Sequence, residues 1–231
     1  PWDRLVQLKK AIPNVLHQML LRGANAVGYT SYPQNVVEAF IDEAAEHGID
    51  VFRVFDSLND LDSMEVAVQR VLRTGKIAEV AMCYTGDVDN PARTKYGLDY
   101  YAELARRIEG MGAHILCIKD MAGLLRPQAA RMLVSRLRAV TQLPIALHTH
   151  DTSGNGIATY MAAIDSGVHI VDTALSPMAG LTSQPSMNAL IAALRGAARE
   201  TGLTNKAMQP LADYWEAVRE FYAPFECGLK S

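Results

Sequence analysis

The sequence predicts an α/β fold of the TIM (β/α)8-barrel type, present as a fragment with about six of the eight strand–helix units. Three observations carry that prediction. Short apolar runs rich in branched residues recur along the chain, helical patterns lie between them, and nearly every run ends in polar, reactive side chains. Apolar strands alternating with helices make a parallel sheet covered on both faces. Polar groups at the C-terminal ends of the strands are where such barrels place their sites. An open doubly wound sheet would instead gather its ligand at one switch point.

The runs are, in order, VLHQMLLRG (15–23), IDVFRVFDS (49–57), IAEVAMCYTG (77–86), AHILCIKD (113–120), PIALHTHD (144–151) and HIVDTALS (169–176). They end in Arg22, Asp56, Tyr84 and Thr85, Lys119 and Asp120, His148 and His150, and Ser176. Between them PQNVVEAFIDEAAEHG places Val36, Val37, Phe40, Ile41 and Ala44 at helical spacing and closes on Gly48. LDYYAELARRIEGMG, RPQAARMLVSRLRAV and GIATYMAAIDSG continue the series. The stripe Leu104, Ile108, Met111 reads as core. PLADYWEAVREFYAPF (210–225) reads as an amphipathic helix leading out of the barrel. Two barrel strands are expected to be missing, on the N-terminal side.

The totals narrow the function. A chain of 231 residues, 49% hydrophobic, has the core of a single domain. A net charge of −3 gives no footprint for nucleic acid. No apolar run approaches the ~18–20 residues that span a bilayer, and no leader or low-complexity segment is visible. Cys83, Cys117 and Cys227 are odd in number and widely spaced. That fits a reducing compartment without a disulfide framework. Cys83 and Cys117 lie inside strands and are expected in the core. The ends, Pro1 and Ser231, read as those of a piece of a longer polypeptide.

The chemistry concentrates at the strand ends. His148 and His150 are two apart on a strand, so both imidazoles point to one side. Such a pair suits a divalent cation such as zinc, manganese or cobalt; the plainer alternative is hydrogen bonding to loop backbone. Lys119 follows ILCI, so its stem is expected to be buried. It is open to three readings: an ion pair with Asp120 or another carboxylate, a base or Schiff-base lysine of depressed pKa, or a lysine carbamylated by CO2 into an oxygen ligand. Residue types alone favour the ion pair. The planar fork of Arg22 suits a substrate carboxylate, or equally a salt bridge with Asp56 or Asp120. Asp56 either orients Arg22 or a histidine, or caps the next helix. His17, His47, His114 and His169 have no partner at ligand spacing and are read as ordinary.

Several motifs together, QMLLRGANAVGYTSYPQN, DVFRVFDSLND, CYTGD, IKDMAGLLRP, LHTHDTSGNG, GLTSQPSMN and YAPFECGLKS, closely resemble the carboxyltransferase domain of pyruvate carboxylase. The resemblance runs nearly the whole chain. The transcarboxylase pyruvate-binding subunit and the oxaloacetate decarboxylase alpha subunit belong to the same superfamily. They tend to carry HCHAT and a Tyr-Gly-His-Pro turn where this sequence has HTHDT and TSQPSMN.

The resemblance implies a TIM barrel with an added C-terminal helical region, so residues 1–231 are expected to hold strands three to eight and the start of that region. It implies carboxyl transfer from carboxybiotin to pyruvate, giving oxaloacetate, within an ATP-dependent ligase. It implies a divalent metal (zinc, manganese or cobalt) held by His148, His150 and Lys119 as a carbamate, with an aspartate from a first strand that this sequence lacks. On the same grounds Arg22 meets the pyruvate carboxylate and developing enolate, and Tyr29 lines the pocket. Arg22 and Lys119 are thus the catalytic candidates, and Arg22, Tyr29 and Asp56 the substrate-binding ones. Biotin would come from a carrier domain, beside a biotin carboxylase domain, on the same longer chain. The expected assembly is a homotetramer, in the cytoplasm or, in a eukaryote, the mitochondrial matrix. The proton-shuttling threonine, the AMKM biotin-attachment motif and the ATP-grasp portion are absent from these 231 residues, so the isolated chain is expected to be inactive. The alternatives are an oxaloacetate decarboxylase or transcarboxylase subunit, and a metal-dependent Claisen-type lyase on the same barrel, with KDMAG and TSQPSMN against the lyase. A structural fragment with exposed sheet edges is a further one.

Overall fold

The computed structural model describes residues 1–226; Cys227 and the CGLKS end of the last motif lie outside the described residues. Among the described residues six strands form one parallel sheet, in the order β1-β2-β3-β4-β5-β6. They are β1 (Gln18–Leu21), β2 (Val51–Phe55), β3 (Ile77–Cys83), β4 (Ile115–Asp120), β5 (Ile145–Thr149) and β6 (Ile170–Val171). Each lies inside one of the six predicted runs. The helices are α1 (Trp2–Ala11), α2 (Gln34–Glu46), α3 (Leu61–Arg73), α4 (Leu98–Gly110), α5 (Pro127–Arg138), α6 (Gly156–Asp165), α7 (Met187–Leu194) and α8 (Asn205–Tyr222). The strand–helix alternation and sequential parallel order are those of a TIM-barrel fragment.

The chain divides into two compact units. The first comprises residues 1–83, 99–118 and 137–145, and the second 84–98, 119–136 and 146–231. In the first, Ile41, Phe52, Met64, Tyr101, Ile108 and Leu116 are fully enclosed. Helix α3 presents Leu61, Met64, Val68 and Val71 to this core at helical spacing. Its N-cap is Asp60, whose carboxylate accepts from Asp62 N and Ser63 N. The side of the sheet that carries Leu20, Arg53 and Glu79, one register row, is not wholly apolar. Arg53 Nε donates to Glu79 Oε1 at 2.7 Å, and Gln18 Nε2 reaches the other carboxylate oxygen. Both charged groups are buried, so the pair satisfies what would otherwise be costly isolated ions.

In the second unit Leu125, Leu133, Leu147 and Tyr160 form the interior. Here β6 is shorter than the predicted run. After Val171 the pairing goes on through Asp172 N, which donates to Leu147 O at 3.1 Å, and a bridge between Ala174 and Ser186. Helix α8 begins before the predicted Pro210, because Thr204 caps it by accepting from Ala207 N. Pro210 lies inside the helix. Cys83 and Cys117 are buried, as their positions within strands suggested. Leu104 and Ile108 are core, while Met111 is half-buried.

Candidate functional site

In the first unit the candidate substrate residues follow β1 and β2. Alternation puts Leu20 and Arg22 on one side of β1, and the register puts Arg53 and Phe55 on the same side of β2. Directly after Arg22 the chain turns sharply: Arg22 N donates to Ala26 O at 2.7 Å, and Asn25 N to Arg22 O at 2.8 Å. Gly23 takes φ +46 at this turn, and a Cβ there would stand 3.0 Å from the Ser63 carbonyl oxygen. The turn returns Tyr29 to the arginine. The guanidinium carbon lies 4.7 Å from the Tyr29 ring centroid and 5.6 Å from that of Phe55. Ring faces hold a guanidinium by its charge and plane without consuming its N–H donors. Phe55 is buried and Tyr29 is 85% exposed, so one ring is a fixed floor and the other an outer wall.

Asp56 serves its own loop. Its Oδ1 accepts from Leu58 N at 2.8 Å and Asp60 N at 3.0 Å. The expectation that Asp56 caps the next helix is corrected: Asp60 is the cap, and Asp56 shapes the turn that delivers it.

In the second unit Asp120 is fully enclosed. Its Oδ1 accepts from Leu124 N at 3.0 Å, and its Oδ2 from Leu125 N at 2.9 Å and Thr149 Oγ1 at 2.8 Å. The MAGLL loop is therefore wound around this carboxylate. Gly123 makes the close approach: φ is +66, and a Cβ would lie 2.7 Å from the His150 carbonyl oxygen. Alternation supplies the rest. Asp120 and Thr149 meet on one side, so Lys119, His148 and His150 project to the other. Lys119 is 6% exposed.

Each imidazole is fixed through Nδ1. His148 Nδ1 lies 2.7 Å from Asp172 Oδ2, and His150 Nδ1 lies 2.5 Å from Thr182 O. Both partners are acceptors, which puts a proton on each Nδ1 and leaves a lone pair on each Nε2 of the neutral rings. The two Nε2 atoms face each other at 3.2 Å. Two lone pairs so placed repel unless a cation or a proton lies between them. Zinc–nitrogen bonds of about 2.0–2.1 Å at a tetrahedral angle hold two donor nitrogens about 3.3 Å apart. The donor set thus fits a divalent ion. Among the described residues no group of three His, Cys, Asp or Glu side chains is arranged to hold one. Asp172 bonds the back of His148 and is an orienting group, so a third donor must come from another residue type or another segment.

Asp172 and Thr182 were not legible as partners in the sequence. The HIVDTALS run was read to Ser176 as its polar end, whereas the chain leaves β6 at Val171 and Asp172 is the residue that turns to the histidine. Tyr160, fully buried on α6, donates to Asp172 O at 2.5 Å and accepts from Thr149 N at 3.3 Å. Tyr84, another predicted strand-end residue, donates its backbone N–H to Lys119 O at 2.8 Å. Burial pushes its hydroxyl up to about 12, against a hydrogen bond from Val88 that works the other way.

The HMGL-like family model matches residues 42–214. The chain is 56% identical over its whole length to pyruvate carboxylase of Staphylococcus aureus, of which it covers 20%, and 54% identical to that of Bacillus subtilis. It is 52% identical over 98% of its length to human mitochondrial pyruvate carboxylase. It thus spans about a fifth of the length of the relatives it matches. Among solved structures, the carboxyl transferase domain of Rhizobium etli pyruvate carboxylase with pyruvate superposes with a TM-score of 0.98 at 51% identity, over all of this chain and 39% of that one. The HMGL-like match covers most of the chain: the chain belongs to the HMGL-like family.

Proposed function

We propose that this chain supplies part of the pyruvate site of a carboxyltransferase, in which carboxybiotin gives up CO2 and pyruvate takes it to become oxaloacetate. Arg22 binds the pyruvate carboxylate with its fork and steadies the charge that grows on the carbonyl oxygen as the methyl group gives up a proton, which ends on the biotin left when carboxybiotin releases CO2. That charge is absent from the carbonyl oxygen of bound pyruvate and develops toward the transition state, so stabilising it accelerates the reaction. Tyr29 closes the outer side of the pocket, and Asp56 sets the loop beside it. His148 and His150 hold a divalent metal through Nε2, and Lys119, as a carbamate, is the third donor from this chain. An unmodified ammonium there would be repelled by the ion; a carbamate carries the opposite charge. When bound, the metal supplies fixed positive charge that polarises a carbonyl oxygen. Biotin, its carrier domain and the biotin carboxylase domain belong to the longer protein, as the fivefold greater length of the relatives suggests.

One observation carries this reading: two imidazoles, each locked through Nδ1, face each other through Nε2 at 3.2 Å, the separation of two donors on one ion. The test is Arg22→Lys in the intact protein. It keeps the charge and loses the fork, and oxaloacetate formation is expected to fall by about 100-fold. Unchanged turnover would refute the role of Arg22. Loss of bound metal in His148→Ala, measured by elemental analysis, checks the second half independently.

A further inference from the structure

We propose that Asn59 is a positioning residue for the Arg22 site: its side-chain amide takes the place of a missing peptide group on β2, and so fixes the loop that roots Phe55 and carries Asp56. The inference rests on the reading of Arg22 as the carboxylate-binding group.

The β2–β3 ladder ends at Phe55 with Ala81. Two residues on, Cys83 presents its N–H and carbonyl toward the position the next β2 residues would fill. Asn59 fills it instead. Its Oδ1 accepts from Cys83 N at 2.6 Å, and its Nδ2 donates to Cys83 O at 3.0 Å and to Tyr100 Oη at 3.2 Å. A carboxamide carries the same donor and acceptor as a peptide group, so the sheet edge is satisfied although the backbone has left it. Asn59 adopts φ +59, a left-handed conformation that asparagine tolerates better than most residues. Two further bonds close the loop on itself: Asn59 N donates to Asp56 O at 3.1 Å, and Cys83 Sγ lies 3.4 Å from the same oxygen.

The consequence reaches Arg22. Phe55 is the last ladder residue, and its ring is the buried floor beneath the guanidinium. Without the clip, β2 is free to peel from β3 at Phe55, and both the floor and the Asp56 turn shift. A displacement of about 1 Å in a substrate-positioning group is enough to cost up to 100-fold.

The test uses Asn59→Gly and Asn59→Asp in the intact protein, with Arg22→Lys alongside. Glycine keeps the backbone conformation and removes the amide. Aspartate keeps the acceptor for Cys83 N and, when ionised, sets an oxygen against Cys83 O. Both are expected to raise KM for pyruvate, and its Kd by calorimetry, by about tenfold, with the Asn59→Asp defect shrinking as the pH is lowered and the carboxyl regains a donor. Melting temperatures serve as the control for a purely structural role. Lowered melting with unchanged pyruvate KM and Kd in both variants, while Arg22→Lys is impaired, overturns the proposal and leaves the site reading intact. Unaltered pyruvate binding in Arg22→Lys overturns both.

Discussion

The two ends of the strands are put to different uses. At the N-terminal ends in the first unit, the residues just before β1, β2 and β3 meet at Asp50, and the one before β4 binds the start of β3. Asp50 accepts from Lys9 Nζ at 2.7 Å, His17 N at 2.9 Å and Lys76 Nζ at 3.4 Å, and its own N–H donates to His17 O. His114 takes Ala78 N on its ring and gives its own N–H to Ala78 O. His17 differs: neither ring nitrogen has a partner among the described residues. At the C-terminal ends, side chains are braced from behind while their reactive atoms stay available. Arg22 rests on rings, and the two histidines are held through Nδ1. The first arrangement fastens the sheet; the second holds chemistry in a fixed orientation. This is the division of labour a parallel barrel imposes, because its loops of variable length gather at the C-terminal side.

Asp120 is the sharpest way to challenge that division, since it is a strand-end carboxylate with a structural task. In Asp120→Ala, Leu124 N, Leu125 N and Thr149 Oγ1 lose their common acceptor in a site closed to water. At about 1 kcal/mol or more for each stranded donor, unfolding free energy should fall by roughly 3 kcal/mol. The MAGLL loop would also loosen against the His150 carbonyl. Denaturant titration of the intact protein checks this. A loss below about 1 kcal/mol would show that the loop is held by its apolar residues instead.

Asp172→Ala separates bracing from stability at the same end. The carboxylate touches His148 and is partly exposed, so melting should change little. His148 would be free to turn and to exchange tautomers, and metal affinity is expected to drop by about 10- to 100-fold. Competition with a chelator reads this directly, without reference to turnover. An unshifted chelator midpoint would remove Asp172 from the site.

How much of this was visible in the sequence depends on the range of the interaction involved. The six strands were legible because branched apolar runs report burial locally. Helix α3 carried the same kind of signal, an Asp60 cap followed by Leu61, Met64, Val68 and Val71, although it was not among the predicted patterns. His148 and His150 were legible as a pair because alternation fixes their common side. The resemblance, not the residue types, pointed from ion pair to carbamate at Lys119. What stayed hidden were contacts made across long stretches of chain: Asp172 with His148, Thr182 with His150, and Asn59 with Cys83. In each, one partner is a loop residue whose identity is common in turns, so nothing local distinguishes a brace from a turn former.

The smallest expected effect lies at the opposite end of the strands, at Asp50. Burial works to raise its carboxyl pKa, but the Lys9 hydrogen bond, the His17 N–H and the charges of Lys9 and Lys76 outweigh it and hold the group below its ordinary value. A carboxyl lowered by folding stabilises the fold at every pH above its unfolded pKa, and the contribution is lost as the pH falls through the lowered folded value. Asp50→Asn should therefore melt slightly below the wild type at neutral pH, with the two curves converging on acidification. Pyruvate binding and metal content should stay unchanged, because the affected contacts fasten the N-terminal ends of the strands. If instead Asp50→Asn weakened pyruvate binding while sparing stability, the two ends of the sheet would not be divided as proposed, and the strand-end comparison would have to be abandoned.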